Sequence, residues 1–216
     1  MSHQSHDSNK HPKQEFQVER LTFFSDAVFA IAITLLVIEF KVPHITKEST
    51  YAEVWHEVVA MKFKFLALVL SFFIIANYWR QHHLLFKHIH NYNKEVIRQS
   101  IFILLPVVFF PFTTAFFYES LINEAVLVIP FRIFLLNNVL AGASMYALYW
   151  IVAKKHKQLA YPFEKKDADE FEVMMLLSVF GFLAVFGLSF ISIEVSLYGL
   201  LPFAGFLLFK KFKNKK

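Results

Sequence analysis

The chain has no cysteine among its 216 residues, only five glycines, and charged side chains amounting to 18%. The missing cysteine excludes disulfides, thiolate nucleophiles and cysteine-ligated metal centres. A charged fraction well under one quarter is low for a soluble domain. The Gly-rich phosphate loop ending in Lys-Ser/Thr is absent, and so is the paired-His helix motif of zinc hydrolases. No small-residue cleavage site follows the first apolar run, so a cleaved signal peptide is not expected.

What the chain does have is apolar bulk: 56% of it, including 28 phenylalanines. This material comes in long blocks rather than in a 3.6-residue stripe, the pattern of helices surrounded by lipid. Six segments are expected to be membrane helices, near residues 21–40, 60–81, 99–118, 126–152, 171–192 and 195–210. The expected fold class is an all-α polytopic membrane protein. Residues 1–19 read as a disordered polar tail, 20–210 as the membrane domain and 211–216 as a basic C-terminal tail. His3, His6 and His11 in the first tail are read as solvated rather than metal-binding.

Lysine and arginine gather on the cytoplasmic side of membrane proteins. With both termini inside, most of the 22 cations fall in the inner regions, from Arg20 through Arg80–Arg98 and Lys154–Lys166 to the C-terminus. Only Lys41, Lys47, Lys62 and Lys64 fall outside, while Arg132 lies within a span. The expectation is an inner (cell) membrane protein with both termini cytoplasmic. These basic loops account for the pI of about 9.3 without nucleic acid as a partner, and the membrane lipids are the partner that they imply.

The first span, RLTFFSDAVFAIAITLLVIEF, carries Arg20, Ser25 and Asp26 at its entrance. Ionisable groups at membrane depth are costly and need named partners. Topology places Trp79, His82 and His83 of the second span at the same depth, where indole, imidazole, guanidinium and hydroxyl groups are candidate donors to Asp26. Helix capping by Asp26 is the competing structural account. A Ser–His–Asp hydrolase is disfavoured, because sequence neighbours such as Ser25 and Asp26 point in different directions on a helix.

Ile31, Thr34, Leu35 and Ile38 share one broad face of that helix. Asp26 lies about 140° from Ile31 and about 180° from Leu35, so it faces away from the stripe. Asn137 and Asn138 are candidates for interhelical hydrogen bonds. Arg132 is expected to pair with Glu39, Glu119 or Glu124, or to reach the interface. Pro106 and Pro111 suggest a kinked third span. His88 and His90 are expected to be solvated in an inner loop.

Arg20-x-x-x-Phe24-Ser25-Asp26 resembles the RxxxFSD signature of the endolysosomal-type potassium channels, the transmembrane protein 175 family. Trp79-x-x-His82-His83 and Pro111-Phe112-Thr113 are also similar to that family's pattern. The resemblance implies a prokaryotic-type, six-helix subunit and a homotetramer whose first helices line a potassium-conducting pore. By the same resemblance Ile31, Leu35 and Ile38 form apolar rings with Thr34 as a polar layer. Arg20, Phe24, Ser25, Asp26 and Trp79 form a structural network with His82 or His83. No cofactor and no enzyme activity are implied, potassium being the permeant ion; the TVGYG filter loop of other potassium channels is absent. The alternative expectation is a proton-coupled transporter using Asp26 and His82 or His83 as a relay.

Overall fold

A computed structural model describes residues 12–39, 45–121 and 127–200, and all of the regular elements within them are helical. In chain order these are α1 (Pro12–Ile38), α2 (Tyr51–Ala60), α3 (Lys62–Phe86), α4 (Lys94–Ser120), α5 (Val128–Trp150) and α6 (Lys165–Leu188). A π turn at Ile151–Lys155 extends α5, and a 3-10 turn follows at Lys157–Leu159. Among the described residues five helices are long and apolar enough to cross a bilayer. They are Gln17–Ile38, Lys62–Phe86, Lys94–Ser120, Val128–Lys155 and Ala168–Leu188. The sixth expected segment is helical over 193–200, and the rest of it lies outside the described residues.

Two boundaries correct the expectations. α1 begins at Pro12, so residues 12–19 extend the first helix rather than belonging to a disordered tail; proline suits a first helical position, where no N–H is needed. α2 was not expected at all. Thr50 caps it, with its hydroxyl accepting from the Glu53 N–H while the Glu53 carboxylate accepts from the Thr50 N–H over 2.8 Å. The Thr50 N–H, and then the Thr50 hydroxyl beside it, stabilise the charged Glu53 carboxylate and lower its pKa from the ordinary value.

Lipid offers no hydrogen bonds to the backbone, so each span satisfies itself as a helix. α4 is the central element. It packs against α5, α1 and α3, and α6 packs on α5 from the far side. Phe110, Phe131, Phe134, Leu135 and Ile75 are fully buried between these helices. Phe117 stacks on Phe134 and tilts against Phe131. Both prolines of the third span lie inside α4, which runs unbroken.

Polar bonds tie the helices together at several depths. Tyr78 of α3 donates to the Asn138 carbonyl of α5 over 2.9 Å and lies 3.2 Å from the Ser178 hydroxyl of α6. Asn137 Nδ2 donates to the Pro106 carbonyl, joining α5 to α4, whereas Asn138 Nδ2 bonds within its own helix to Phe134. Gly142 lets α6 approach α5: a Cβ there would meet Val179 Cγ2 at 3.0 Å.

Among the described residues Arg132 pairs with neither Glu39 nor Glu119. It donates through Nε to Ser189 Oγ and through Nη2 to the Ser189 carbonyl, and its guanidinium lies 3.8 Å from the Phe190 ring centre. It therefore satisfies the open C-terminal end of α6, where cations are favoured. Glu119 pairs with Lys64 instead, and Glu124 lies outside the described residues.

The α3–α4 and α5–α6 loops are stitched together, which corrects the reading of His88 and His90 as solvated. Tyr161 N–H donates to the His88 carbonyl and His90 N–H to the Leu159 carbonyl. His88 stacks on Phe163 with ring centres 4.1 Å apart. Glu95 accepts from Lys155 over 2.7 Å and lies 2.9 Å from His156 Nε2. The α3–α4 and α5–α6 connections thus form one cover over the basic end of the bundle.

Candidate functional site

The Asp26 cluster is built where α1 crosses α3. Asp26 is half-buried, and its Oδ1 accepts from the Trp79 indole N–H over 2.9 Å. Of the donors available at this depth, the indole is the one that reaches it. Ser25, fully buried, turns its hydroxyl back to the Leu21 carbonyl over 3.0 Å. That bond satisfies a polar group within its own helix and leaves Ser25 no part in a nucleophilic set.

The two histidines divide between different tasks. His83 stacks on Trp79 with ring centres 5.5 Å apart, bracing the ring that holds Asp26. His82 is fully buried, stacks on Phe86 at 4.2 Å and tilts against Phe29 of α1 at 5.6 Å. Neither His82 nitrogen has a hydrogen-bond partner among the described residues. No hydrogen bond joins Asp26 to either histidine among the described residues, so the relay of the transporter alternative is not assembled here.

Arg20 and Phe24 stand apart from this cluster. Arg20 is exposed and makes no ion pair among the described residues. It lies six residues before Asp26, about 9 Å along the helix and about 120° around it, too far round to share the carboxylate. Phe24 faces an open groove between α1 and α4.

α1 has a packed side and an open side, and Phe23, Phe24 and Val37 are exposed along with the apolar stripe. Phe29, Ala32 and Leu36 are buried against the chain's own helices. Ile31, Leu35 and Ile38 remain 57%, 37% and 71% exposed, and Thr34 is exposed beside them. Thr34 Oγ1 donates to the Ile31 carbonyl over 2.8 Å. Ile31 and Leu35 of this face point away from the Asp26–Trp79 contact, as the helical angles require. Among the described residues no group of three or more His, Cys, Asp or Glu converges as a metal site.

The profile of the endosomal/lysosomal potassium channel TMEM175 matches residues 20–111, from the first signature residue to the middle of α4. A potassium channel of Chamaesiphon minutus is 32% identical over 189 residues, covering 85% of this chain and 89% of its own. A potassium channel of Streptomyces collinus is 28% identical over 184 residues, covering 84% and 88%. The crystal structure of a lysosomal potassium-selective channel TMEM175 homologue from Chamaesiphon minutus superposes with a TM-score of 0.74 at 26% identity, over 90% of this chain and 97% of that one. The potassium channel MtTMEM175 gives a TM-score of 0.61 at 18% identity, a likeness of fold alone.

Proposed function

Because the chain belongs to the TMEM175 family of potassium channels, we propose that it is a potassium-selective leak-type channel whose pore is closed around by four copies of α1. The observation that carries this reading is the exposed face of Ile31, Thr34, Leu35 and Ile38 on a helix whose other side is packed by its own chain. One helix cannot enclose a conduit, so symmetry-related copies must supply the other walls. In this reading the chain contributes six spans, and both termini face the cytoplasm, where the basic end of the bundle lies.

Rings of Ile and Leu from Ile31 to Ile38 make a narrow apolar throat about 10 Å long. Apolar constrictions gate by dewetting, and an ion crossing one sheds part of its water shell. Potassium gives up water more readily than sodium, which provides discrimination without a carbonyl cage. The Asp26–Trp79 bond fixes the pitch and rotation of α1 from behind, and so sets how the stripe meets the axis.

Ion flux through purified protein in liposomes, under potassium and then sodium gradients, tests the proposal. A voltage that follows the potassium gradient alone supports the channel. Flux that requires a proton gradient would instead revive the transporter, and absence of all flux would refute both.

A further inference from the structure

α4 presents one continuous exposed face. Lys94, Arg98, Ile101, Leu105 and Val108 fall at steps of four and three residues, and all five are exposed. Phe24 and Val28 of α1 form the facing wall. Between the two helices lies a cavity of about 850 Å³, apolar except for Lys94 and Arg98 at one end. Phe24 and Ile97 also line a second hollow of about 380 Å³ that carries Arg20, so the two adjoin.

The charge at this mouth is unbalanced. Among the described residues none of Arg20, Lys94 and Arg98 makes an ion pair, while the adjacent Glu95 is committed to Lys155 and His156. From Arg98 to Val108 α4 rises about 15 Å, half of a hydrocarbon core of about 30 Å. The cations therefore sit at headgroup level and the apolar walls reach the midplane. Single-leaflet depth, apolar sides and a cationic rim match an acyl chain attached to a phosphate. A second copy of the chain would have to bring acidic groups to that rim.

The geometry points to a binding site for one anionic phospholipid of the cytoplasmic leaflet, its phosphate held by Lys94, Arg98 and Arg20 and an acyl chain lying along the α1–α4 groove. None of Ile31, Thr34, Leu35 and Ile38 lines this groove. Its sidedness rests on the orientation proposed above.

Native mass spectrometry of the full chain tests the site with dioctanoyl phosphatidylglycerol against dioctanoyl phosphatidylcholine. The anionic lipid should be retained preferentially. Each cation near an anionic headgroup is worth about a five-fold change in affinity, so Lys94→Gln with Arg98→Gln should weaken phosphatidylglycerol about 25-fold. Phosphatidylcholine should change far less, and Lys94→Arg with Arg98→Lys should keep the preference. A photo-cross-linker at position 105 should capture the lipid. Unchanged phosphatidylglycerol preference in the glutamine variant would overturn the site. So would glycerol phosphate competing as well as the lipid, which leaves the groove no role. Cross-linking of position 105 to a second copy would also overturn it and make the groove a subunit contact.

Discussion

The Trp79 indole N–H and the Asp26 carboxylate meet at 2.9 Å on the side of α1 turned away from Ile31 and Leu35. A carboxylate near the entrance of an apolar helix invites a role in the ion path. Its bond to the neighbouring helix assigns it a different one, that of holding α1 in register. The ring that donates is itself braced by His83. The cluster is therefore a hinge pin between two spans.

Asp26→Asn and Trp79→Phe should each lower stability by about 1–2 kcal/mol, the lower part of the range for a hydrogen bond to a charged group, because Trp79 is partly exposed. The double variant should cost little more than Trp79→Phe alone, since asparagine at 26 keeps an acceptor oxygen and weakens the same bond that Trp79→Phe removes. Thermal unfolding of the assembled protein checks the coupling. A stable, assembled Asp26→Asn with reversed ion preference would place Asp26 in the conduction path.

Ile31→Asn or Leu35→Asn should wet the throat. Conductance should rise and potassium preference should weaken, because the ion no longer has to shed water against an apolar wall. Single-channel recording in planar bilayers measures both. Currents identical to those of the parent would exclude a dry constriction at these positions.

Gly142 gives a prediction whose sign depends on its neighbour. Alanine gains about 1 kcal/mol of helix propensity over glycine, but its Cβ would press on Val179 Cγ2 at 3.0 Å. Gly142→Ala should thus be close to neutral alone and stabilising by about 1 kcal/mol in a Val179→Ala background. Gly142→Leu should cost about 1–3 kcal/mol through overpacking. Equal melting of the Gly142→Leu variant and the parent would mean that α5 and α6 are not in close contact here.

These results also show which features are legible in a single sequence. Five of the six expected spans were legible because lipid imposes long apolar blocks, and the orientation of Asp26 relative to Ile31 followed from helical angles alone. Partner choice was not. Asp26 had four kinds of donor at one depth, and only the crossing of α1 over α3 selects Trp79. Arg132 bonds to Ser189 because α6 ends beside it, a meeting between residues 57 apart that composition cannot show. Arg20 looked like a partner for Asp26 until its position round the helix was taken into account. α2 was missed although Thr50-x-x-Glu53 carries the capping-box pattern; a short amphipathic helix is easily passed over beside spans of more than twenty residues.

Arg132→Gln should destabilise the bundle by about 1–2 kcal/mol, losing a charge-assisted bond to the Ser189 carbonyl. Arg132→Lys should recover only part of this, since an ammonium lacks the planar fork that reaches Oγ and carbonyl together while stacking on Phe190. Ion preference should stay unchanged, because the contact lies between α5 and α6. Chemical unfolding and bi-ionic reversal potentials separate the two effects; an altered potassium preference in Arg132→Gln would link this contact to the pore.

Thr34 is the hydroxyl of the exposed stripe, and its bond to Ile31 clarifies what it can offer. The proton is used backward, toward the carbonyl of the preceding turn at 2.8 Å. A hydroxyl oxygen carries two acceptor lone pairs, so donating in this way leaves the oxygen free to face an ion. The back-bond and coordination are therefore compatible, and the first orients the second. Thr34→Val keeps the side-chain volume but removes the oxygen, whereas Thr34→Ser keeps the oxygen and loses a methyl. Potassium over sodium preference should fall in Thr34→Val and persist in Thr34→Ser, with the assembly intact in both. Reversal potentials under bi-ionic conditions read this directly. If the potassium-to-sodium ratio is unchanged in Thr34→Val, the apolar rings of Ile31, Leu35 and Ile38 carry the selectivity alone.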